Sequence, residues 1–354
     1  MVKALDVPSN ARLAVAPVVY PPIWDIWHLD WVQYNAAVHQ PMARNIGEAI
    51  GLGAQLNIVD ASGKLNPPAT RWKSSVRIRN LYWMEKQIEH LKAPVWPAGV
   101  FGAIDSAKAA RGRELFVANC MRCHGISQVH GGDTWAVRTL PLETIGTDSN
   151  QAVAFAKATY DATKLGMSAR EPGALGLKVI VANLKTQGYE DEGIPKSEWP
   201  TYDGFGRKLV AVAPCGYKAR PLIGIWATPP YLHNGSVPTV YDMLSDTRPS
   251  HPILGNPEYD PVKLGMVQQV TPHSLTLDTS LTGNGNVGHW WTNDRNRKGR
   301  IGPALSEVQK YELIEYLKSA TYANYPTRSV DAGFPLPCGD NLHWAANAAL
   351  NLMP

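Results

Sequence analysis

The sequence predicts a mainly α fold, in which a helix-and-loop segment precedes a larger helical domain with long loop insertions. Two observations predict this fold. Apolar residues recur at helical spacing in several separate segments, and some of these segments begin with residues that cap helices. The chain also has 30 glycines and 28 prolines among its 354 residues. Turn-forming residues in this number predict many long connections between the helices.

The N-terminal 98 residues contain two predicted helices. Residues 40–51 show helical apolar spacing, and Gly51 is a suitable stop. A second helix is expected over residues 81–91, before the turn-forming stretch Lys92-Ala93-Pro94-Val95-Trp96-Pro97. This proline-rich stretch predicts a domain boundary, so we expect a helix-and-loop segment, a main domain and a C-terminal extension at residues 1–98, 99–325 and 326–354.

The main domain is predicted to begin with a helix over residues 105–116, with Asp105 or Ser106 as its N-cap. Two amphipathic helices are expected over residues 150–165 and 174–185. A final helix is predicted within residues 305–318. In that helix Ser306 and Gln309 have capping-box spacing, and we expect it to pack across the 105–116 helix near Gly112.

Composition excludes several classes of function. The net charge is +4 and the basic residues are scattered, so the sequence predicts no nucleic-acid partner. No apolar run approaches the roughly 18 residues that a membrane-spanning helix needs, so no transmembrane segment is predicted.

The most informative motif is Cys120-Met121-Arg122-Cys123-His124. Two cysteines three apart, followed at once by a histidine, are the pattern that attaches a c-type haem. The cysteines would form thioethers, and His124 would be an axial ligand of the iron, with its Nδ1 donating to a backbone carbonyl. A redox CxxC or half of a zinc site are the alternatives. A redox CxxC would need a surrounding βαβ pattern, and a zinc site would need a second pair of ligands. The surrounding sequence has neither.

Haem c is attached outside the cytoplasm in bacteria, so we expect a periplasmic or secreted protein. Residues 1–10 lack the charged region and apolar core of an export signal, which predicts that the numbering describes a mature, truncated or rebuilt chain. The remaining cysteines, Cys215 and Cys338, are compatible with a disulfide in an oxidising compartment or with two buried thiols.

Three further stretches resemble one protein family. The run from Tyr217 to Thr239 (YKARPLIGIWATPPYLHNGSVPT) looks like a signature of extracytoplasmic di-haem cytochromes related to the bacterial rubber oxygenases, which resemble the di-haem cytochrome c peroxidases. The run from Gly283 to His289 (GNGNVGH) and the tryptophan-rich residues 21–51 are similar to the same family. The resemblance spans most of residues 20–320 and implies a cytochrome c domain with haem c and iron.

The chain departs from that family in one respect, because the family has two CxxCH motifs and this sequence has one. Residues 1–98 resemble the segment between the two haems. The first haem domain is therefore expected to be absent because the chain is a fragment, because a partner chain carries that haem, or because this branch has lost it. In the rubber oxygenases oxygen binds at the first haem, which is not the haem that matches His124.

The sixth ligand of the iron is assigned to His289, which resembles the family's distal histidine. His233 is the second choice, and Met243 and Met266 are further alternatives that are also compatible with core positions. Lys218 and Arg220 are candidate partners of the haem propionates. His28 and His39, in the tryptophan-rich segment, are expected to be hydrogen-bonded packing histidines rather than iron ligands.

The expected function is electron transfer in a redox system of the rubber oxygenase or di-haem peroxidase type, with a redox partner protein or a second haem domain. Two imidazole ligands would leave the iron no free position for substrate. The alternatives are a haem-dependent oxygenase or peroxidase, which acts on an olefinic or lipid substrate or on peroxide, and a haem-carrying subunit of a larger assembly. The sequence does not decide whether the protein is an enzyme.

Overall fold

The computed structural model describes residues 2–129, 132–329 and 338. These residues form α-helices and five short 3-10 helices. In chain order the α-helices of the described residues are α1 Val2–Leu5, α2 Pro41–Gly51, α3 Pro68–Arg71, α4 Ile78–Ile88, α5 Ala98–Phe101, α6 Ser106–Asn119, α7 Met121–His124, α8 Leu142–Ile145, α9 Asn150–Lys157, α10 Gly173–Asp191, α11 Trp199–Asp203, α12 Val240–Met243 and α13 Glu307–Ser319.

The predicted mainly α class is wrong, because the fold mixes helices with short strands. The structure is 37% helical and 13% strand, and its strands pair two by two in five small sheets within the described residues. Most strands have only two residues, which is too short to produce an alternating pattern in the sequence. The strands are β1 Arg138–Pro141, β2 Thr159–Tyr160, β3 Glu171–Pro172, β4 Gly216–Ala219, β5 Ile253–Leu254, β6 Tyr259–Asp260, β7 Gly265–Met266, β8 Leu275–Thr276, β9 Trp290–Trp291 and β10 Arg300–Gly302.

Strand pairing ties distant loops together. β1 and β4 are antiparallel, and β2–β3, β5–β8 and β6–β7 are likewise antiparallel, whereas β9 and β10 are parallel. The helix predicted over residues 150–165 ends at Lys157, because the chain then enters β2 and pairs with β3. The helix predicted over 174–185 extends further, to Asp191.

The crossing of α6 and α13 forms the centre of the main core. Asp105 caps α6 by accepting a hydrogen bond from the Lys108 backbone, and Ser306 and Gln309 form the predicted capping box of α13. The helices meet at Gly112, where a Cβ would overlap the backbone carbonyl of Glu312. Glycine therefore permits the close approach of the two helices, and the predicted crossing is confirmed.

Buried apolar residues form two large clusters. The first surrounds α6 and α13 and includes Phe116, Trp291 and Tyr316. The second packs α2 and α10 together with α4. Residues before and after position 98 take part in both clusters, so both cores join the predicted segments. The division into domains stays a prediction. Of the predicted extension 326–354, residues 330–337 and 339–354 lie outside the described residues.

In the described part of the chain, no helix has both the length and the apolar character that crossing a membrane requires.

Replacing Gly112 tests the helix crossing. We expect Gly112→Ala to lower the free energy of unfolding by about 2–3 kcal/mol, because α6 and α13 must separate to admit a methyl group. Gly47→Ala is the matched control. Gly47 also lies inside a helix, but no atom lies within 4 Å of a Cβ there, so alanine should stabilise by about 0.5–1 kcal/mol. Urea unfolding measures both, and equal effects would contradict the packing described here.

Candidate haem-binding site

The cysteines of the CxxCH motif lie at the junction of α6 and α7. Cys120 separates the two helices, and its backbone carbonyl accepts hydrogen bonds from the backbone amides of Cys123 and His124 at 3.0 and 2.9 Å. Both thiols are half-buried and neither is in a disulfide. Burial, and then the neighbouring Cys123, raise the pKa of Cys120 to about 12.

The imidazole of His124 is fixed from behind by β4 and the residue that follows it. Its Nδ1 donates to the backbone carbonyl of Arg220 at 2.8 Å, so the predicted hydrogen bond is present. The hydroxyl of Tyr325 donates to the backbone carbonyl of His124 at 3.0 Å. Loss of hydration lowers the pKa of His124 and favours the neutral ring. With Nδ1 as donor, Nε2 keeps the lone pair that a metal ligand needs.

His289 faces His124 across the site. The centroids of the two imidazole rings are 6.3 Å apart, and their planes are inclined by 66°. A metal bond to an imidazole nitrogen is about 2 Å long, so two imidazoles on opposite sides of one ion have centroids roughly 6 Å apart. The distance between His124 and His289 is therefore suited to one iron between the rings.

The backbone places His289 in an unusual conformation. Its φ is +52°, in the left-handed region that few non-glycine residues adopt, and its amide donates to the carbonyl of Ile145 at 2.8 Å. The Nδ1 of His289 is buried and has no hydrogen-bond partner among the described residues. Burial, and then the proximity of His124 and Arg248, lower the pKa of His289 to about 3, so its imidazole is neutral near pH 7.

These features fit a covalently held haem. The described residues bring together two unbridged thiols, a neutral imidazole oriented by a backbone carbonyl, and a second imidazole at a distance that accommodates one iron. A buried nitrogen without a partner is rare in a folded protein, so the described residues leave Nδ1 of His289 unsatisfied.

Arg248 holds the loop that presents His289, and the sequence did not identify it. Its guanidinium donates to the backbone carbonyls of Asn286, Gly288 and His289 at 2.5, 3.0 and 3.1 Å. The guanidinium also lies 4.0 Å from the centroid of the Trp290 ring. One half-buried side chain therefore binds three carbonyls of the loop from a position about 40 residues earlier in the chain.

The Tyr-Leu-His-Asn-Gly-Ser turn supports the start of the same loop. The side-chain amide of Asn234 donates to the carbonyls of Gly283 and Gly285, each at 2.9 Å. The hydroxyl of Ser236 donates to the Asn234 side chain at 2.8 Å. Asn234 and Ser236 are both buried, so this turn fixes the beginning of the loop as Arg248 fixes its end.

His233, the second candidate ligand, is buried in an aromatic environment. Its ring stacks on Tyr217 with centroids 4.1 Å apart and meets Tyr34 edge-on at 6.2 Å. The methionine alternatives occupy structural positions, because Met243 lies in α12 and packs against the first cluster, and Met266 lies in β7. Of these candidates, His289 is the one whose ring has a described contact with the ring of His124.

The candidate propionate partners contact backbone carbonyls. Arg220 donates to the carbonyls of Pro22 and Trp24 at 2.7 and 2.9 Å. Lys218 donates to the carbonyl of Gln33, and burial lowers its pKa to about 7. Both side chains are half-buried, and their role toward propionates stays a prediction.

His28 and His39 both form hydrogen bonds to the backbone. The ring of His28 lies between Trp27 and Trp135, with centroids 3.6 and 4.1 Å away, and its Nδ1 contacts the carbonyl of Asp133. The Nδ1 of His39 bonds to the carbonyl of Asp30 at 2.7 Å.

Cys215 and Cys338 are joined by a disulfide, with Cα atoms 4.6 Å apart. The sequence left open a disulfide or two buried thiols, and the structure has the disulfide. The bond fixes Cys338 beside the start of β4, the strand that leads to the carbonyl that orients His124.

The burial of His233 has a measurable consequence. Burial lowers its pKa from 6.5 to about 4, so the unfolded chain binds a proton that the folded chain does not bind between these values. Stability should therefore fall as the pH drops through this window. We expect His233→Phe, which keeps an aromatic ring on Tyr217, to reduce the loss of unfolding free energy between pH 7 and 4.5 by about 2 kcal/mol. Urea unfolding at both pH values measures it, and an unchanged pH dependence would contradict the assignment.

Two curated proteins of Sinorhizobium fredii are similar to this chain. Uncharacterized protein y4iJ is 36% identical over 347 residues, which cover 89% of this chain and 56% of that protein. Uncharacterized protein y4iM is 28% identical over 321 residues, which cover 84% of this chain and 63% of that protein. The chain thus spans less than two thirds of the length of either relative.

A family model described as RoxA-like, cytochrome c-like matches residues 216–251. The matched segment contains the Arg220 carbonyl that orients His124, the Asn234 turn and Arg248. It therefore includes the residues that support both imidazoles, although the CxxCH motif lies outside it. The chain contains a RoxA-like, cytochrome c-like segment, which supports the RoxA-like family and implies haem c and a redox function of the c-type cytochrome kind.

Proposed function

We propose that this chain is an extracytoplasmic c-type cytochrome that transfers electrons through one haem. Cys120 and Cys123 would hold the haem covalently, and His124 and His289 would be its axial ligands. The observation that carries the proposal is the pair of imidazoles with centroids 6.3 Å apart, beside two thiols that form no disulfide. The RoxA-like, cytochrome c-like match supports the haem c and redox parts of the proposal.

The surroundings of the two histidines favour electron transfer over binding of a substrate. When bound, the haem would supply a one-electron redox centre, and His124 and His289 would hold its iron. The Arg220 carbonyl fixes the tautomer of His124 and increases its basicity, which stabilises the oxidised metal. Arg248 keeps His289 in place from the other side. Both ligands are thus held before any partner binds.

The cellular setting is also part of the proposal. The Cys215–Cys338 disulfide favours the periplasm or the extracellular space, where such bonds persist. In that setting the chain would serve a redox system of the rubber oxygenase or di-haem peroxidase type. It would exchange electrons with a redox partner protein or a second haem domain.

A haem-dependent oxygenase or peroxidase is the second candidate. The left-handed backbone of His289 favours it, because a non-glycine residue in this conformation stores strain of about 1–2 kcal/mol that release of the loop would relieve. In that case His124 would hold the iron without His289, and the haem would supply oxygen or peroxide chemistry. Electron transfer requires that His289 stays bound, so the two candidates differ in whether His289 occupies its position on the iron.

Carbon monoxide distinguishes the two candidates. We expect the visible spectrum of the dithionite-reduced protein to be unchanged by carbon monoxide, because two imidazoles saturate the iron. His289→Ala should give a clear shift, since it opens one axial position. His233→Ala is the matched control and should behave as the wild type.

A shift in the wild-type protein would favour the oxygenase or peroxidase. Acidic acetone should leave the haem on the wild-type protein. If it extracts the haem, the haem is not covalently attached and the whole proposal is wrong.

Arg248 should control how firmly His289 is bound. We expect Arg248→Ala to lower the free energy of unfolding by about 2–4 kcal/mol, because three loop carbonyls lose a charged donor. The oxidised protein should also gain a high-spin absorption component, which Arg248→Lys should partly prevent.

Arg297→Ala is the control for Arg248→Ala. Arg297 stacks on the same Trp290 ring at 3.7 Å, but its described hydrogen bond goes to Asp246 rather than to residues 286–289. If Arg248→Ala remained fully low-spin, the loop would not depend on Arg248.

A further inference from the structure

A basic loop lies next to the strand that follows His289. Residues 295–300, Arg-Asn-Arg-Lys-Gly-Arg, are the densest run of basic residues in the sequence. Arg295 and Lys298 are exposed. Among the described residues, no carboxylate forms an ion pair with any of the four basic side chains of this run. The loop thus presents positive charge that the described part of the protein does not neutralise.

The loop is connected directly to the proposed axial ligand. It joins β9, which begins at the residue after His289, to β10. Trp290 is buried, and the Arg297 guanidinium lies 3.7 Å from the centroid of its ring. The Trp290 amide also donates to the carbonyl of Gly299 at 2.7 Å. The stacked Arg297 side chain therefore lies between the surface of the loop and Trp290, the residue that follows His289.

The loop also has a fixed shape, which suits it to recognition. Arg297 donates to the carbonyl of Asp246 at 2.6 Å, and Arg300 donates to the carbonyl of Thr292 at 2.8 Å. Gly299 packs against the backbone of Ile145 and Gly146. Two nearby carboxylates, those of Asp246 and Asp294, are also exposed. The four basic side chains of the loop outnumber them. A partner that meets this surface encounters a preformed patch of net positive charge.

We propose that the basic loop at residues 295–300 is the surface through which this protein exchanges electrons, and that its partner is a redox protein with an acidic face. The inference rests on the proposed electron-transfer function and specifies its partner. Opposite charges would steer the acidic face to the loop and hold it near Trp290 while the electron passes.

An anionic reagent of known charge tests the proposal on the whole haem-loaded protein. Ferricyanide takes one electron from the reduced protein and becomes ferrocyanide, with no proton or bond transferred. We expect the double variant Arg295→Glu with Lys298→Glu to slow this reaction roughly 3- to 10-fold at low ionic strength. The difference should vanish in 1 M salt, where the Debye length is about 3 Å. Oxidation by the cation hexaammineruthenium(III) should instead become faster.

The matched control reverses one lysine and one arginine elsewhere. Lys73 and Arg77 are exposed beside the second cluster, to which their neighbour Val76 belongs. The double variant Lys73→Glu with Arg77→Glu changes the net charge by the same amount. It should change the ferricyanide rate much less than the loop variant.

Equal slowing by both double variants would overturn the proposal, because it would reflect net charge alone. An unchanged rate in the loop variant would overturn it as well. If the glutamates impair folding, as judged by the haem spectrum, Arg295→Gln with Lys298→Gln provides the same comparison with a smaller expected effect. A protein without covalent haem would instead refute the proposed function, so the two failures are distinguishable.

Discussion

The separation of the His124 and His289 rings is the constraint on which the rest of the site depends. A metal ion that binds both imidazoles tolerates little variation in this distance. The two rings belong to segments 165 residues apart, and one intervening segment supports both of them. Its Arg220 carbonyl orients the first ring, and its Arg248 guanidinium binds the loop of the second. The RoxA-like, cytochrome c-like family model matches this supporting segment.

The surrounding fold makes this framework rigid. The close crossing of α6 and α13 at Gly112 fixes the end of α6, from which the CxxCH turn begins. β1 and the Cys215–Cys338 disulfide hold β4, which leads to Arg220. On the other side, the buried Asn234 turn and the β9–β10 pair enclose the His289 loop. The long loops are therefore ordered by hydrogen bonds between side chains and backbone rather than by sheets of any size.

Sequence patterns predicted the features that are encoded locally. The CxxCH motif, the Asp105 cap and the Ser306–Gln309 capping box each depend on residues within four positions of one another. Features that depend on distant contacts were not predictable in the same way. The strands are too short to show an alternating pattern, which is why the mainly α class was wrong. The role of Arg248 was not predictable, because its partners are backbone carbonyls, which form no recognisable pattern in the sequence. The basic loop was not predicted, because the small net charge of +4 does not reveal one dense run of basic residues.

Electron paramagnetic resonance of the frozen, oxidised protein tests the central claim most directly, because the spectrum reports the axial ligands of the iron. The account predicts a low-spin ferric signal of the type given by two strongly inclined imidazole planes, in keeping with the 66° between His124 and His289. His289→Ala should lose this signal, and His233→Ala should keep it. A high-spin axial signal from the wild-type protein would contradict the account, since it would mean that His289 does not bind the iron.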